Sequence, residues 1–422
     1  MDDSGIVPQA QRAGFRPRSL DAVNLLLADV RGALGPYLNV FLITQQHWSQ
    51  TEVGWVTTIS GLIGLIAQTP AGAAIDATRR KRGVVVLALI VLAAGAVTIF
   101  AIPRFWPVMI ANTAISVVGD VFGPAVAAVT LGLYARSSLA RRMGRNSAFD
   151  HAGNVMIAAA AGAVGYAFSQ RAVFLLVPVF AMAAAAAVLS IPAAAIDEDR
   201  ARGCRDEEPR EGDKVSGFSV LITCRPLVVF TLCAMLFHFA NAPLLPLVGQ
   251  KLAQAYPAWA TAMMSSCIIA AQLIMLPVAL IVGRTADRIG RKPILLLGFA
   301  VLPVRALLYT VSNNAAWLIG VQLLDGVGAG IFGAITPLLI ADLMRGTGRY
   351  NLAQGAVATG QGIGASLSGL AAGVIVDHLG YSVAFLSLGA AACAALAALV
   401  LAMPETAPNL DSRMMLRSLS PP

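Results

Sequence analysis

The sequence predicts an all-α polytopic membrane protein of twelve transmembrane helices in two six-helix, pseudo-symmetric bundles. Three observations predict it. Of the 422 residues, 57% are hydrophobic and only 12% charged, with a mean hydropathy of +0.74; a soluble domain carries about 25% charge. Apolar runs recur from Leu20 to Met403, each of about twenty residues, the length that crosses a hydrocarbon core of about 30 Å. A short charged run, Gly283–Lys292 (GRTADRIGRK), has a fainter echo 211 residues earlier in Gly72–Arg82 (GAAIDATRRKR), one copy to each half. A charged loop repeated half a chain apart in apolar surroundings marks a duplicated membrane bundle. A soluble helical core is excluded, because a dozen near-uncharged segments leave nothing polar to cover the outside. The period-two alternation of a membrane β-barrel is also missing.

In order, the first six spans are 20–44, 51–75, 83–102, 105–135, 145–168 and 171–195, giving a first bundle over 20–195. The hydrophilic stretch 196–223 reads as a cytoplasmic linker and holds the densest mixed charge of the chain. Six more spans follow at 224–249, 259–283, 293–311, 315–341, 349–373 and 381–403, giving a second bundle over 224–403. Residues 1–19 are polar, contain Pro8 and Pro17 and lack a cleavage signal. They read as a disordered cytoplasmic tail ahead of a retained first helix. Residues 404–422 read as a loose cytoplasmic tail.

Charge placement orients the chain. Of the 30 Lys and Arg, 25 fall in the tails and alternate loops of one side, and only Arg104, Arg171 and Lys251 on the other. Basic loops stay in the cytoplasm, so both termini are expected inside the cytoplasmic (inner) membrane. The net charge of +8 is then an orientation signal, and no nucleic-acid partner is implied. The five cysteines (Cys204, Cys224, Cys233, Cys267, Cys393) are odd in number, scattered, and without metal-ligand spacing. They read as small apolar residues with no disulfide framework.

The repeat extends beyond the charged loops. Val121-Phe122-Gly123 leads into Pro124 and a basic turn, and Ile331-Phe332-Gly333 leads into Pro337 and another. With an even number of helices per half, the halves are parallel repeats about the membrane normal.

The loop of the second half has the form G-x-x-x-D-R-x-G-R-K, carried by Gly283, Asp287, Arg288, Gly290, Arg291 and Lys292. This resembles the signature between helices two and three of major facilitator superfamily transporters, and the resemblance covers nearly all of residues 20–403. The first copy keeps Gly72, Asp76 and the basic run Arg79-Arg80-Lys81-Arg82, with Ala77 in place of the Arg and no second Gly. In that family the loops latch the cytoplasmic helix ends in the outward-open state. The resemblance thus implies gating roles for Gly72, Asp76, Arg79, Arg80, Gly283, Asp287, Arg288, Arg291 and Lys292. A carboxylate there can also take the exposed N–H groups of a neighbouring helix N-terminus. No subfamily is assigned. Asn112 and Asp120 stand where drug–proton antiporters carry an Arg in helix four, and helix five (Gly153-Asn154…Gly162…Gly165) lacks their Gly-Pro pair. Pro404-Glu405-Thr406 is a poor remnant of the sugar-transporter signature.

Ionisable groups at bilayer depth cost roughly 2.5–3.5 kcal/mol on insertion scales, so each should face a cavity or a partner. Helix one offers Asp29, Arg31 and Tyr37, and Asn154 lies in helix five. Asp120, between Gly119 and Gly123, is the first-half candidate for a titrating carboxylate, with Asn112 two turns before it. Arg305 and Asp325 are natural partners, as a structural ion pair or a gate. His238 and Asn241 precede Pro243 and Pro246, which bend helix seven, and His238 can carry a proton near neutrality. Gln361 sits among the glycines of helix eleven and can face solute. Asp150, His151 and Glu52 read as rim residues.

There is no G-x-S-x-G elbow, no phosphate loop with Lys-Ser or Lys-Thr, and no metal-spaced His/Cys/Glu cluster. No enzyme activity, cofactor or metal is expected. Together with the resemblance this implies a monomeric, proton-coupled secondary carrier of a small organic solute by alternating access. The Arg and Asp within the membrane favour an anionic, zwitterionic or amphipathic compound, and export is preferred to import of a metabolite or siderophore. The rivals of another class are a membrane-embedded enzyme, which needs a polar cluster at one interface, and a non-transporting receptor.

Overall fold

The computed structural model describes residues 6–28, 34–78, 80–197, 201, 223–344 and 350–406. After a short α1 (Pro8–Arg12), the first crossing is divided into α2 (Pro17–Leu27) and α3 (Gly35–Thr44). Five crossings follow: α4 (Gln50–Ala77), α5 (Lys81–Ala101), α6 (Phe105–Leu133), α7 (Arg136–Ala167), and a 3-10 turn (Arg171–Leu175) leading into α8 (Leu176–Leu189). The next crossing is also divided, into α9 (Arg225–Asn241) and α10 (Leu244–Ala255). Then come α11 (Ala260–Ile289), α12 (Arg291–Val311), α13 (Ala315–Leu343) and α14 (Tyr350–Ala402), the last broken at Gly380 (φ 82°) into two crossings. The divided helices counted once and α14 twice give the twelve crossings expected. Among the described residues the only β pairing is one isolated bridge, Ile6 to Tyr134.

Both divided crossings have local causes. Leu34, buried and left-handed (φ 59°, ψ 42°), precedes Gly35-Pro36 at the entry to α3. In the other, Pro243 and Pro246 lack an amide proton, so the carbonyls of Phe239 and Ala242 lose their helical donors. The repeat offset of 211 carries Ala242-Pro243 onto Arg31-Gly32, between α2 and α3, so the interruptions occur at corresponding places.

The ends differ from expectation in informative ways. Helix α7 begins at Arg136, nine residues ahead of the expected 145, because its basic turn winds into helix and finds a carboxylate on α2. The N-terminal segment is folded where a loose tail was expected. Its apolar residues Ile6, Val7, Ala10 and Phe15 are buried, the Val7 amide donates to the Leu133 carbonyl at 3.1 Å, and Phe15 meets Tyr134 edge-on. Asp29, Arg31 and Arg79 lie outside the described residues, as do the side chains of 71–77, including Asp76, and residues 407–422.

The chain falls into two compact units, Met1–Arg210 with Gly249–Ile269, and Glu211–Val248 with Ala270–Pro422. In the first, α7 crosses α2 with Gly153 directly on the Leu25 carbonyl and Ala28. In the second, α14 crosses α9 with Gly364 on the Met235 carbonyl and Gly360 on Thr231. Gly153 and Gly364 are 211 residues apart, so each unit puts a glycine at the same close approach, as small-residue membrane interfaces do.

At Gly364 even a Cβ would overlap backbone, which cannot yield as a side chain tip can. Gly364→Val should therefore destabilise by about 1–3 kcal/mol or more. Gly355→Ala, with nothing near its Cβ, should be neutral or slightly stabilising. Thermal unfolding of the two purified variants checks this, and equal melting temperatures would contradict it.

Candidate functional site

In the first unit, α2, α6 and α7 line a half-open cavity of about 210 Å³. Helix α2 supplies Asn24 and Leu27, and α6 supplies Phe122, Gly123, Val126 and Ala127. Helix α7 supplies Met143, Asn146, Ser147 and Asp150. Residues 147, 150 and 154 succeed one another at helical spacing, so Asn154 continues the polar face one turn beyond Asp150. On α6, Asn112, Ser116 and Asp120 repeat every four residues, and Asp120 adjoins the Gly123/Ala127 side of the cavity face. The Asn146 amide donates to Thr130 Oγ1 at 3.1 Å and sets the antiparallel register of α6 and α7. In that register Asp150 is level with Val126, which leaves Asp120 about 9 Å further along the axis. Asp120 is half-buried and has no hydrogen bond or ion pair among the described residues.

Asp21 on α2 closes the near end. Its side chain is 6% exposed and accepts a forked pair from Arg145 (Nε 2.9 Å, Nη2 2.6 Å), while Arg142 Nη2 approaches to 2.8 Å. Arg142, itself 4% exposed, also donates to Asn146 Oδ1 at 2.9 Å and packs over Tyr134. Both guanidiniums are thus committed to one carboxylate.

At the other end of the unit, residues 249–269 close against α3 and α7. Tyr37, 1% exposed, shares a 2.8 Å hydroxyl bond with Ser265, and Gly162 and Gly165 seat Ser265 and Thr261. Tyr166 stacks on Trp259 with centroids 4.5 Å apart. Tyr37 therefore serves this seam; the glycines of helix five pack there too.

The second unit brings Arg305, Asp325 and Asn241 together. Arg305 pairs with Asp325, donates to Asn241 Oδ1 at 2.8 Å, and is 2% exposed. It stands beside the C-terminal turn of α9, where a cation is favourable, and braces the interruption after it. His238 donates from Nδ1 to the Ala234 carbonyl at 3.0 Å and lies against Phe237 and Phe332. Its surroundings are aromatic packing shared with Phe230 and Phe299. Gln361 is half-buried, about a quarter turn from the Gly360/Gly364 contact. The sequence candidates therefore fall into separate groups: Asn112, Asp120 and Asn154 along one face, Tyr37 in the seam, and Arg305, Asp325 and Asn241 in a brace.

The charged loops are latched by groups the sequence left aside. Gly290 takes φ 104° between α11 and α12, which only glycine adopts readily. Asp287, 83% exposed, pairs with Arg291 at 2.7 Å, and Arg291 Nε reaches Asp342 on α13 at 3.0 Å. The carboxylate that receives the exposed amides of a helix N-terminus is Glu405, not Asp287. It accepts from Arg291 N and Lys292 N at 2.9 and 3.1 Å. Lys292 Nζ donates to the Val400 carbonyl at 3.0 Å, and Arg82 donates to those of Leu189 and Ile191. Leu189 and Val400 are again 211 residues apart. Arg80, Arg288 and Gly283 are exposed. Glu52 forms a capping box with Ser49, accepting from its amide at 2.8 Å and donating its own to Ser49 Oγ at 3.1 Å.

The chain matches the Major Facilitator Superfamily over residues 22–274 and 227–416. It is 47% identical over 401 residues to the uncharacterised MFS-type transporter Rv2456c of Mycobacterium tuberculosis, which covers 95% of each chain. It is 33% identical over 119 residues to the methyl viologen resistance protein SmvA of Salmonella typhimurium, 27% of this chain and 23% of that one. Its fold is similar to the crystal structure of the nucleoside transporter NupG, with a TM-score of 0.71 and 12% identity over 91% of this chain and 98% of that one. This multi-pass membrane protein belongs to the major facilitator superfamily and is a membrane transporter rather than an enzyme.

Proposed function

We propose that this transporter moves a small organic solute across the inner membrane, outward, by alternating access coupled to protons, with both termini in the cytoplasm. The observation that carries the proton coupling is Asp120: a half-buried carboxylate, without a partner among the described residues, on the α6 face that runs on beyond the first-unit cavity. A carboxylate kept from water and from cations is one whose neutral form is accessible, as a proton carrier requires. Export accords with the resistance for which SmvA is named.

Alternating access requires the seam between 249–269 and helices α3 and α7 to part. Its polar content centres on the Tyr37–Ser265 hydroxyl pair, supported by small-residue packing at Gly162 and Gly165. Such a seam closes firmly through fit and reopens at modest cost.

Two experiments test the reading. In proteoliposomes an imposed pH gradient should accelerate solute movement, and Asp120→Asn should lose the acceleration while retaining solute exchange; full gradient-driven activity in the variant would remove Asp120 from the cycle. A Cβ on Gly162 lies 3.1 Å from that of Ser265, slightly inside the roughly 3.5–4.5 Å of a disulfide. In a Cys267→Ala background, oxidising Gly162→Cys/Ser265→Cys should arrest transport and reduction should restore it. Undiminished transport by the cross-linked protein would show that the seam need not open.

A further inference from the structure

The N-terminal segment of the first unit is built as a rigid platform. The Val7 carbonyl accepts from the amides of Ala10 and Gln11 at 2.9 and 3.1 Å and starts the single turn of α1. A Schellman motif stops that turn. The Phe15 amide donates to the Ala10 carbonyl and the Gly14 amide to that of Gln11, both at 3.0 Å, with Gly14 left-handed at φ 71°. Ala10 and Phe15, the two apolar residues such a stop brings together, are both buried. The platform is then tied to the end of α6, whose last carbonyls have no partner within the helix. The Val7 amide takes the carbonyl of Leu133, and the Asp197 amide, from the chain leaving α8, takes that of Gly132, each at 3.1 Å.

What the platform turns outward is charge of one sign. Arg12, Arg16 and Arg18 are all exposed, and their guanidiniums have no hydrogen bond or ion pair among the described residues. Their neighbours in the fold are committed: Arg142 and Arg145 hold Asp21, and Arg82 donates to the carbonyls of Leu189 and Ile191. No Asp or Glu occurs from Ile6 to Leu20 to neutralise the three. Their place is also informative. Pro17 opens α2, the first crossing, so Arg16 and Arg18 flank the point where the chain enters hydrocarbon. An arginine there lays its methylenes along apolar surface and keeps its guanidinium at the polar boundary, where its planar fork matches a phosphate. Because the stop and the Val7 tie fix the backbone in advance, little ordering is lost on binding.

We propose that the N-terminal arm, residues 6–18, is a docking surface for the headgroups of anionic phospholipids in the adjacent leaflet, engaged by Arg12, Arg16 and Arg18. Near an anionic membrane surface each such cation is worth about fivefold in affinity. A free phosphate gains much less from the same three groups. They are exposed and cannot desolvate it, whereas a headgroup is held beside them by its own acyl chains at high effective concentration. The surface lies apart from the cavity between α2, α6 and α7 and depends on neither the solute nor the direction of transport.

The test places a benzophenone on the exposed Gln11, as Gln11→Cys in full-length protein whose five natural cysteines are replaced by alanine. The protein is irradiated in nanodiscs of equal parts phosphatidylglycerol and phosphatidylcholine with the same acyl chains, and the lipid adducts are weighed by mass spectrometry. Phosphatidylglycerol adducts should exceed phosphatidylcholine adducts at least about tenfold. Arg12→Gln, Arg16→Gln and Arg18→Gln together should bring the ratio to within about twofold, while the three Arg→Lys changes should keep most of it, since they keep the charge. Raising the ionic strength from about 0.05 to about 0.5 M should lower the ratio by screening. Equal adducts of the two lipids, or a ratio that survives the triple Gln variant, overturns the inference. No lipid adduct at all does so too, because the arm would then face water. If inorganic phosphate at fixed ionic strength abolishes the preference, the arm is a site for soluble anions and the lipid surface falls.

Discussion

The governing constraint is that hydrocarbon supplies no partner for a charge or a broken helical hydrogen bond, so the chain must supply its own. Arg305 shows what that demands. It lies across the bundle of the second unit with its guanidinium on Asp325 and Asn241, its ring neighbour Tyr309 within cation–π range. Removing one partner of such a pair strands the other, at about 3–5 kcal/mol. The pair also stands at the end of α9, where two prolines have removed donors from the backbone. Charge pairing and the interruption of the helix are therefore one device: the interruption creates the electronegative end that the guanidinium neutralises.

The same constraint explains which features recur at an offset of 211 and which do not. The glycines at the closest helix crossings recur, Gly153 with Gly364, as do the carbonyls of Leu189 and Val400, each taken by a cation, Arg82 and Lys292, which lie one place off that offset. These answer mechanical needs that a duplicated bundle has twice. The Asp21–Arg142–Arg145 cluster does not recur, since positions 232, 353 and 356 hold Leu, Ala and Ala. Nor does the Glu405 cap, which has no acidic counterpart at 194, an alanine. Packing was kept in both halves; chemistry was specialised in each.

Features set by composition or periodicity were legible in the sequence. Twelve crossings follow from apolar run length, the helix interruption at Pro243 from missing amides, and the Arg305–Asp325 pair from the cost of an unpaired charge. Features that depend on which distant segment returns to a helix end were not. Glu405 looks like the start of a tail, and only the fold brings it to the amides of Arg291 and Lys292. Asp150 reads as a rim residue because it stands five residues after Arg145, yet α7 starts early and carries it onto the cavity face. The interruption at Leu34 has no proline on its N-terminal side to announce it. The N-terminal segment escaped the sequence for a similar reason: four apolar residues among polar ones bury well only because Leu133 and Tyr134 are there to receive them.

These differences bear on how labour is divided along the chain. The second unit's Arg305, Asp325 and Asn241 are spent on each other, and its His238 is enclosed by Phe237 and Phe332. That unit is suited to holding a shape. The first unit sets polar groups along one face, from Asp150 and Ser147 through Asn154 to Asp120 and Asn112. Two carboxylates about 9 Å apart along one axis are too far to share one small ligand group and close enough to sense each other's charge where water is scarce. A change in the charge of one is then felt at the other, so that the two ends of this polar face are not electrostatically independent.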